Sequence, residues 1–353
     1  MTTTKENKTL YLMMILYSLF AFLTPLTSTM VVVLYCLAVL SVILLNDTDL
    51  LCFLAFAVCF MYCGGFTSFF LTMYDVILAL FIVKKLVIAI KENNKKHIKF
   101  ISAMLVLILV LLIYGLILSK FHFYKLGQSI GIVLTIASIY LVDKIDIKKV
   151  TLTLSAGLII SSILSLIGYA GGIVPITPFI KDSSTGIRFG GYFQYVNALA
   201  TYCSLCQACL LALLLTKKLD IKKWIWLLVV ITLIGLSSFS KTFMLITVAT
   251  YGIAMLLGFI QSKNKKQYIK LGIIALVIVV VLCLIGHNYI EMIIKRFYAD
   301  KSYGGSTLNI ATTGRVDIWK TYIDKWTSSP LYVLFGCGIT ADKVGIFTPH
   351  SLF

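Results

Sequence analysis

Charge is what this sequence has least of. Asp, Glu, Lys and Arg make up 13% of its 353 residues, roughly half the ~25% of a soluble domain. Proline is scarce too, at 5 residues, and histidine occurs only 4 times. RNA-binding, zinc-finger and basic-helix signatures are missing. The shortages of charge and proline exclude a soluble enzyme and a disordered tail, and the missing signatures argue against nucleic acid as a partner. Cysteine is not scarce, but Cys36, Cys52, Cys59, Cys63, Cys203, Cys206, Cys209 and Cys283 all lie within apolar runs, where cysteine acts as a small buriable residue. Cys337 alone falls in a polar segment, so no disulfide framework is implied. Cys203, Cys206 and Cys209 share one helical face, with no His or further Cys nearby to complete a metal site.

Apolar residues fill the gap, at 60% against the usual ~45–50%. They form continuous runs at 10–24, 28–45, 50–64, 67–83, 100–118, 127–142, 150–170, 192–215, 224–239, 243–260 and 271–290. A membrane-crossing helix needs ~20 such residues. The runs do not alternate in period two, which excludes an outer-membrane barrel. The expected fold is all-α, a polytopic transmembrane helix bundle of about eleven spans. The runs 10–24, 50–64 and 224–239 are short for a span, and Thr24-Pro25 splits the first stretch from the second. Residues 1–9 read as a cytoplasmic tail before a retained helix, not as a cleaved signal peptide.

The net charge of +17 is sided. With a cytoplasmic N-terminus, segments 1–9, 46–49, 84–99, 143–149, 216–223 and 261–270 face inward and hold 19 of the 31 Lys and Arg, as the positive-inside rule requires. The acidic segment 46–49 is the exception. Three other segments face outward: 171–191, the junction Phe239-Ser240-Lys241, and 291–353. Arg188, Arg296 and Arg315, the only arginines, all fall on that outer side. The chain divides into a bundle over 1–290 and a large extracytoplasmic segment over 291–353.

Several residues carry both a functional and a structural reading. Gly314 precedes Arg315 and Asp317 at the start of an amphipathic pattern running to Trp326. Arg315 is either an anion ligand or a surface charge paired with Asp317. Lys241 sits at the lip of two apolar runs, either facing a polar cavity or snorkelling to the interface. Asp75, within the fourth run, is either a functional intramembrane acid or a hydrogen-bonded structural one. Asn197 follows Gly190-Gly191-Tyr192-Phe193 and is suited to bonding a neighbouring helix.

Taken in order, these stretches resemble the O-antigen ligase/polymerase family of bacterial membrane glycosyltransferases. Phe189-Gly190-Gly191-Tyr192-Phe193 with Asn197, Leu199 and Ala200 is similar to that family's aromatic-Gly motif leading into a helix. Ser240-Lys241-Thr242 resembles its Ser-Arg-Thr/Gly element. Thr313-Gly314-Arg315, Trp319, Pro330-Leu331 and Phe335-Gly336-Cys337-Gly338 resemble its large outer loop, and Pro349-His350-Ser351 its His-Asn element. The likeness covers residues 185–353. Lys241 stands where the family has Arg, Ser351 where it has Asn, and the chain stops at Phe353 where the family continues into further helices.

The resemblance implies glycosyl transfer on the outer face of the bacterial inner membrane. The donor would be an oligosaccharide on undecaprenyl diphosphate. Arg315, Lys241 and Arg188 would hold the diphosphate, and His350 would be the general base. Asn197, Asp317 and Asp75 are supporting candidates. No metal and no cofactor is implied, because cations can neutralise diphosphate unaided. Partners would be the lipid-linked donor, membrane lipid, a flippase and a chain-length regulator, with no nucleic acid. The acceptor separates a capsule, exopolysaccharide or O-antigen polymerase from an O-antigen-type ligase. A transporter or flippase is the competing class and predicts paired repeats with interrupted helices.

Overall fold

A computed structural model describes residues 2–60, 73–118, 123–173, 178–182, 186–193, 195–261, 315–330 and 333. The described chain is all-α apart from one two-stranded ribbon. Its helices are α1 (Thr2–Leu23), α2 (Ser28–Leu44), α3 (Asp47–Ala57), α4 (Met73–Lys91), α5 (Lys95–Leu118), α6 (Phe123–Tyr140), α7 (Ile147–Ala170), α8 (Val196–Leu215), α9 (Ile221–Ser237), α10 (Lys241–Gln261) and α11 (Arg315–Thr327). A 3-10 turn, Val58–Phe60, prolongs α3. Among the described residues, Ile147–Ala170, Val196–Leu215 and Lys241–Ile260 are long and apolar enough to cross a membrane. Val106, Leu109 and Val110 on α5, and Val248, Ile253 and Leu256 on α10, stand exposed. So much bare apolar helix surface suits lipid rather than water. The chain is a helical membrane protein.

Helix starts follow capping chemistry. Asn46, Asp146 and Asp220 accept bonds from the amides of Asp49 (2.9 Å), Lys149 (3.0 Å) and Lys222 (3.0 Å), opening α3, α7 and α9. Each satisfies an amide that the first helical turn leaves without a partner.

The two ends of the bundle can be told apart through α7. Near its start, Lys149 pairs with Asp49. At its finish, Tyr169 meets Phe179 of the ribbon edge-on at 5.2 Å. A helix of 24 residues separates those ends by about 36 Å. Along the chain, α8 then returns to the lysine end, α9 rises to the ribbon end and α10 leaves from there. Lys84, Lys85, Lys144, Lys148 and Lys149 gather at the first end, Arg188 and Lys241 at the second.

The core is aromatic. Tyr17 packs edge-on against Phe53 (5.3 Å) and Phe60 (6.1 Å), and Phe60 reaches Tyr192 (5.6 Å) just past the ribbon. Helix α3 is buried along its length. It presses on α7 at Gly157, where an added Cβ would lie 2.9 Å from the Phe56 carbonyl oxygen.

Several boundaries differ from the sequence expectation, α1 and α5 beginning at Thr2 and Lys95, ahead of the apolar runs that open at 10 and 100. Lys84 and Lys85 belong to α4, which runs on to Lys91, instead of opening a loop over 84–99. Lys84 donates to the carbonyls of Val42 (2.7 Å) and Leu45 (3.1 Å), and Lys85 to Asp47 (2.7 Å), so both cations are satisfied within the bundle. The run from 192 becomes a 3-10 turn, Gly191–Phe193, before α8 begins at Val196. The segment 171–191 holds the ribbon.

Candidate functional site at the ribbon end

The ribbon pairs β1 (Phe179–Asp182) with β2 (Gly186–Phe189) antiparallel, Phe179 opposite Phe189 and Ile180 opposite Arg188. The Phe179 and Phe189 rings lie 5.7 Å apart. The amides of Gly190 and Gly191 both donate to the Pro178 carbonyl, at 2.8 and 3.3 Å. Gly191 has φ 54, a left-handed conformation that glycine takes without a Cβ clash. This fold-back buries Tyr192 and Phe193 and launches α8.

Alternation along β2 leaves Ile187 exposed and turns Arg188 inward, only 6% exposed. Arg188 donates from Nε to the Ser238 carbonyl at 2.9 Å. Ser238 is the C-cap of α9. Carbonyls at a helix C-terminus lack in-helix donors and carry partial negative charge, so a guanidinium is well matched to that position.

The α9–α10 junction is a tight turn. Phe239 adopts φ 48, where a residue with a Cβ is disfavoured by roughly 1–2 kcal/mol. Local bonds hold it. The Phe239 amide donates to the Leu236 carbonyl at 3.0 Å, and Ser238 Oγ donates to the Gly235 carbonyl at 2.6 Å. The Phe243 ring lies on Gly235, where a Cβ would come within 2.1 Å of it. Lys241 is the first residue of α10 and is half-buried. The geometry therefore joins Arg188 to the turn that sets out Lys241. Arg188 lies beside a helix-terminal carbonyl and Lys241 among helix-terminal amides, both at the ribbon end of the bundle.

The other sequence candidates are more scattered. Asn197 is exposed in the first turn of α8, where its carbonyl accepts a bond from Thr201 at 2.8 Å. Asp75 lies in the first turn of α4, its Oδ1 2.6 Å from where Gly131 would carry a Cβ. Arg315 and Asp317 open α11; Asp317 is exposed, and the Arg315 side chain lies outside the described residues. On α11, Trp319, Ile323 and Trp326 form an exposed apolar row. His350 and Cys337 lie outside the described residues. Among the described residues, no group of three or more His, Cys, Asp or Glu could hold a metal ion.

Two polar arrangements escaped the sequence. Gln207, fully buried on α8, donates to Thr232 of α9 (2.9 Å) and accepts from Thr247 of α10 (3.0 Å). At the lysine end, a cleft of about 1010 Å³ is lined by Asp47, Asp49, Asp143, Lys144, Lys148 and Lys149, among others. No protein family, curated protein or solved structure matches the chain.

Proposed function

We propose that the chain is a polymerase of lipid-linked polysaccharide repeat units, acting from undecaprenyl diphosphate on the outer face of a bacterial inner membrane. The observation that carries this reading is the Arg188–Ser238 hydrogen bond. It joins residues 50 apart in sequence that lie just ahead of two motifs, Phe189–Phe193 and Ser240-Lys241-Thr242, resembling elements of one transferase family. Lys241 sets a cation at the amide end of α10, and a helix N-terminus suits a diphosphate. The segregation of lysines to the opposite end supports an outward orientation for the ribbon, and with it the topology of about eleven spans with the N-terminus inside.

In this reading an acceptor hydroxyl attacks the anomeric carbon of the donor sugar. The new glycosidic bond forms as the bond from that carbon to the diphosphate oxygen breaks. The electron pair leaves on the diphosphate, and the hydroxyl proton passes to His350. Negative charge grows on the leaving group, so cations already in place favour the transition state over the bound substrate. Lys241 and Arg315 supply that charge, and no metal is required. Flippase and chain-length regulator proteins are the partners this reaction calls for.

Purified protein supplied with an undecaprenyl-diphosphate oligosaccharide should yield longer lipid-linked chains, with Arg315→Ala and His350→Ala inactive at equal protein level. Full activity in both variants would overturn the reading. Transfer to a different acceptor would make the protein a ligase. The short, buried α3 favours one further reading, since transporters build sites from shortened helices. Movement of the substrate across a vesicle membrane without any new glycosidic bond would establish that one instead.

A further inference from the structure

We infer that Arg188 is a positioning residue that acts through Lys241, and not a ligand of the diphosphate in its own right. The inference rests on the transferase reading of this site and assigns Arg188 a different part in it.

Three observations carry it. First, Arg188 is 6% exposed and its Nε is committed to the Ser238 carbonyl at 2.9 Å. That Nε–H meets the C-terminus of α9, where the helix dipole is negative. Second, the turn it holds is strained. Phe239 occupies the position after a helix C-cap where glycine is usual, yet keeps φ 48. Such a conformation persists only when its surroundings impose it. Ser238 lies directly before Phe239, so a bond to its carbonyl fixes the peptide plane that enters the strained residue. Third, only Ser240 separates that residue from Lys241. The Ser240 amide lies 3.3 Å from Ser238 Oγ and the Met244 amide donates to the Ser240 carbonyl at 3.1 Å. Rotating the Ser238–Phe239 peptide therefore swings the start of α10 and the lysine on it. Small displacements of a charge aimed at a leaving group are costly in rate.

A positioning residue needs its hydrogen bond, whereas a ligand needs its charge. Arg188→Gln keeps a donor and loses the charge; Arg188→Met loses both. Measurements would use the full chain in lipid nanodiscs, with an undecaprenyl-diphosphate oligosaccharide as donor. Arg188→Met should lower kcat about 10-fold or more while KM for the donor moves less than about 3-fold. It should also speed amide hydrogen exchange over residues 238–244. Arg188→Gln should stay within about 3-fold of the parent in both readouts. In a Lys241→Met background, Arg188→Met should cost nothing more, since the two act as one unit.

Two results would overturn the inference: a further multiplicative loss in the double variant, or a Gln variant as slow as the Met variant with exchange unchanged. If the parent chain transfers no donor at all, the transferase reading fails by itself. The exchange measurement then still decides whether Arg188 holds the turn, and unchanged exchange in Arg188→Met refutes it. Should Arg188→Met not fold, Arg188→Gln decides alone: a rate and exchange near the parent's support the inference, and a loss of about 10-fold or more with exchange unchanged overturns it.

Discussion

Lys85 donates from Nζ to Oδ2 of Asp47 across 2.7 Å, tying α4 to the first residue of α3. Two residues further on, Asp49 pairs with Lys149 of α7. The acidic segment 46–49, out of place among inward-facing lysines when read as sequence, is the partner of those lysines. It anchors the short α3 at the lysine end of the bundle.

Burial sets the expected cost of breaking each pair. The Asp49 side chain is 4% exposed and that of Asp47 is 28% exposed. Asp49 also accepts from Asn46 Nδ2 at 3.1 Å. Removing one partner of a buried pair costs about 3–5 kcal/mol because the charge left behind is uncompensated, and the cost falls as that charge reaches water. Lys149→Met, which strands Asp49, should therefore lower the thermal unfolding midpoint in detergent well beyond Lys85→Met, which strands the more exposed Asp47. Equal shifts would mean that burial does not govern the two pairs.

Gly157 and Gly252 make a matched contrast. At Gly157 a Cβ would lie 2.9 Å from both the Phe56 carbonyl and Cys59 Sγ, and 3.1 Å from Phe56 Cα. Backbone atoms cannot swing aside, so Gly157→Ala must part α3 from α7, at about 1–3 kcal/mol. At Gly252 nothing lies within 4 Å, and alanine is the better helix former by ~1 kcal/mol. Gly157→Ala should lower the unfolding midpoint, while Gly252→Ala should hold or raise it. The reverse order would contradict the α3–α7 packing.

Much of the helical layout was legible in the sequence, because long apolar runs leave few alternatives to a helix. The ribbon was not. Strands of four residues are too short to display an alternation, and Ile187 and Phe189 read equally well as loop residues. The α9–α10 junction was legible at Phe239-Ser240-Lys241, but its left-handed residue was not, since Phe239 stands where a glycine would have announced one. Lys241 could be singled out from its motif, and Arg188 from the outward placement of the arginines. What no motif contains is the bond from Arg188 to Ser238, which depends on how β2 meets α9. Gln207 illustrates the same limit: its partners Thr232 and Thr247 lie 25 and 40 residues away.

That glutamine yields a test of its own. Gln207 bridges three helices, and Thr232 extends the network to the Tyr251 hydroxyl at 3.1 Å. Interhelical side-chain bonds in membranes average ~0.6 kcal/mol and reach ~1.7. Gln207→Leu breaks two such bonds but leaves Thr232 bonded to the Leu228 carbonyl at 2.7 Å. The expected loss is about 1–3 kcal/mol, read as reduced resistance to unfolding in a denaturing detergent. Gln207→Glu should cost more, because it buries a charge or a proton-bearing acid. A Leu variant as stable as the parent would make the network incidental to α8–α10 packing.

Lys241 separates function from stability by sign. A cation in the first turn of a helix opposes the helix dipole, at ~0.3–1 kcal/mol. A lysine kept there for packing alone should be replaceable by glutamine with a gain, or at least no loss, in thermal stability and no effect on transfer. A lysine that neutralises a departing diphosphate should show opposite responses. Lys241→Gln would leave the unfolding midpoint unchanged or higher while cutting transfer about 10- to 100-fold. Lys241→Arg restores the cation in the form the resembling family carries, with a fork that suits phosphate, and should retain transfer. Midpoint and rate measured on the same three samples decide the matter. A fall in both for the glutamine variant, or undiminished transfer, would return Lys241 to the role of a structural residue at the interface.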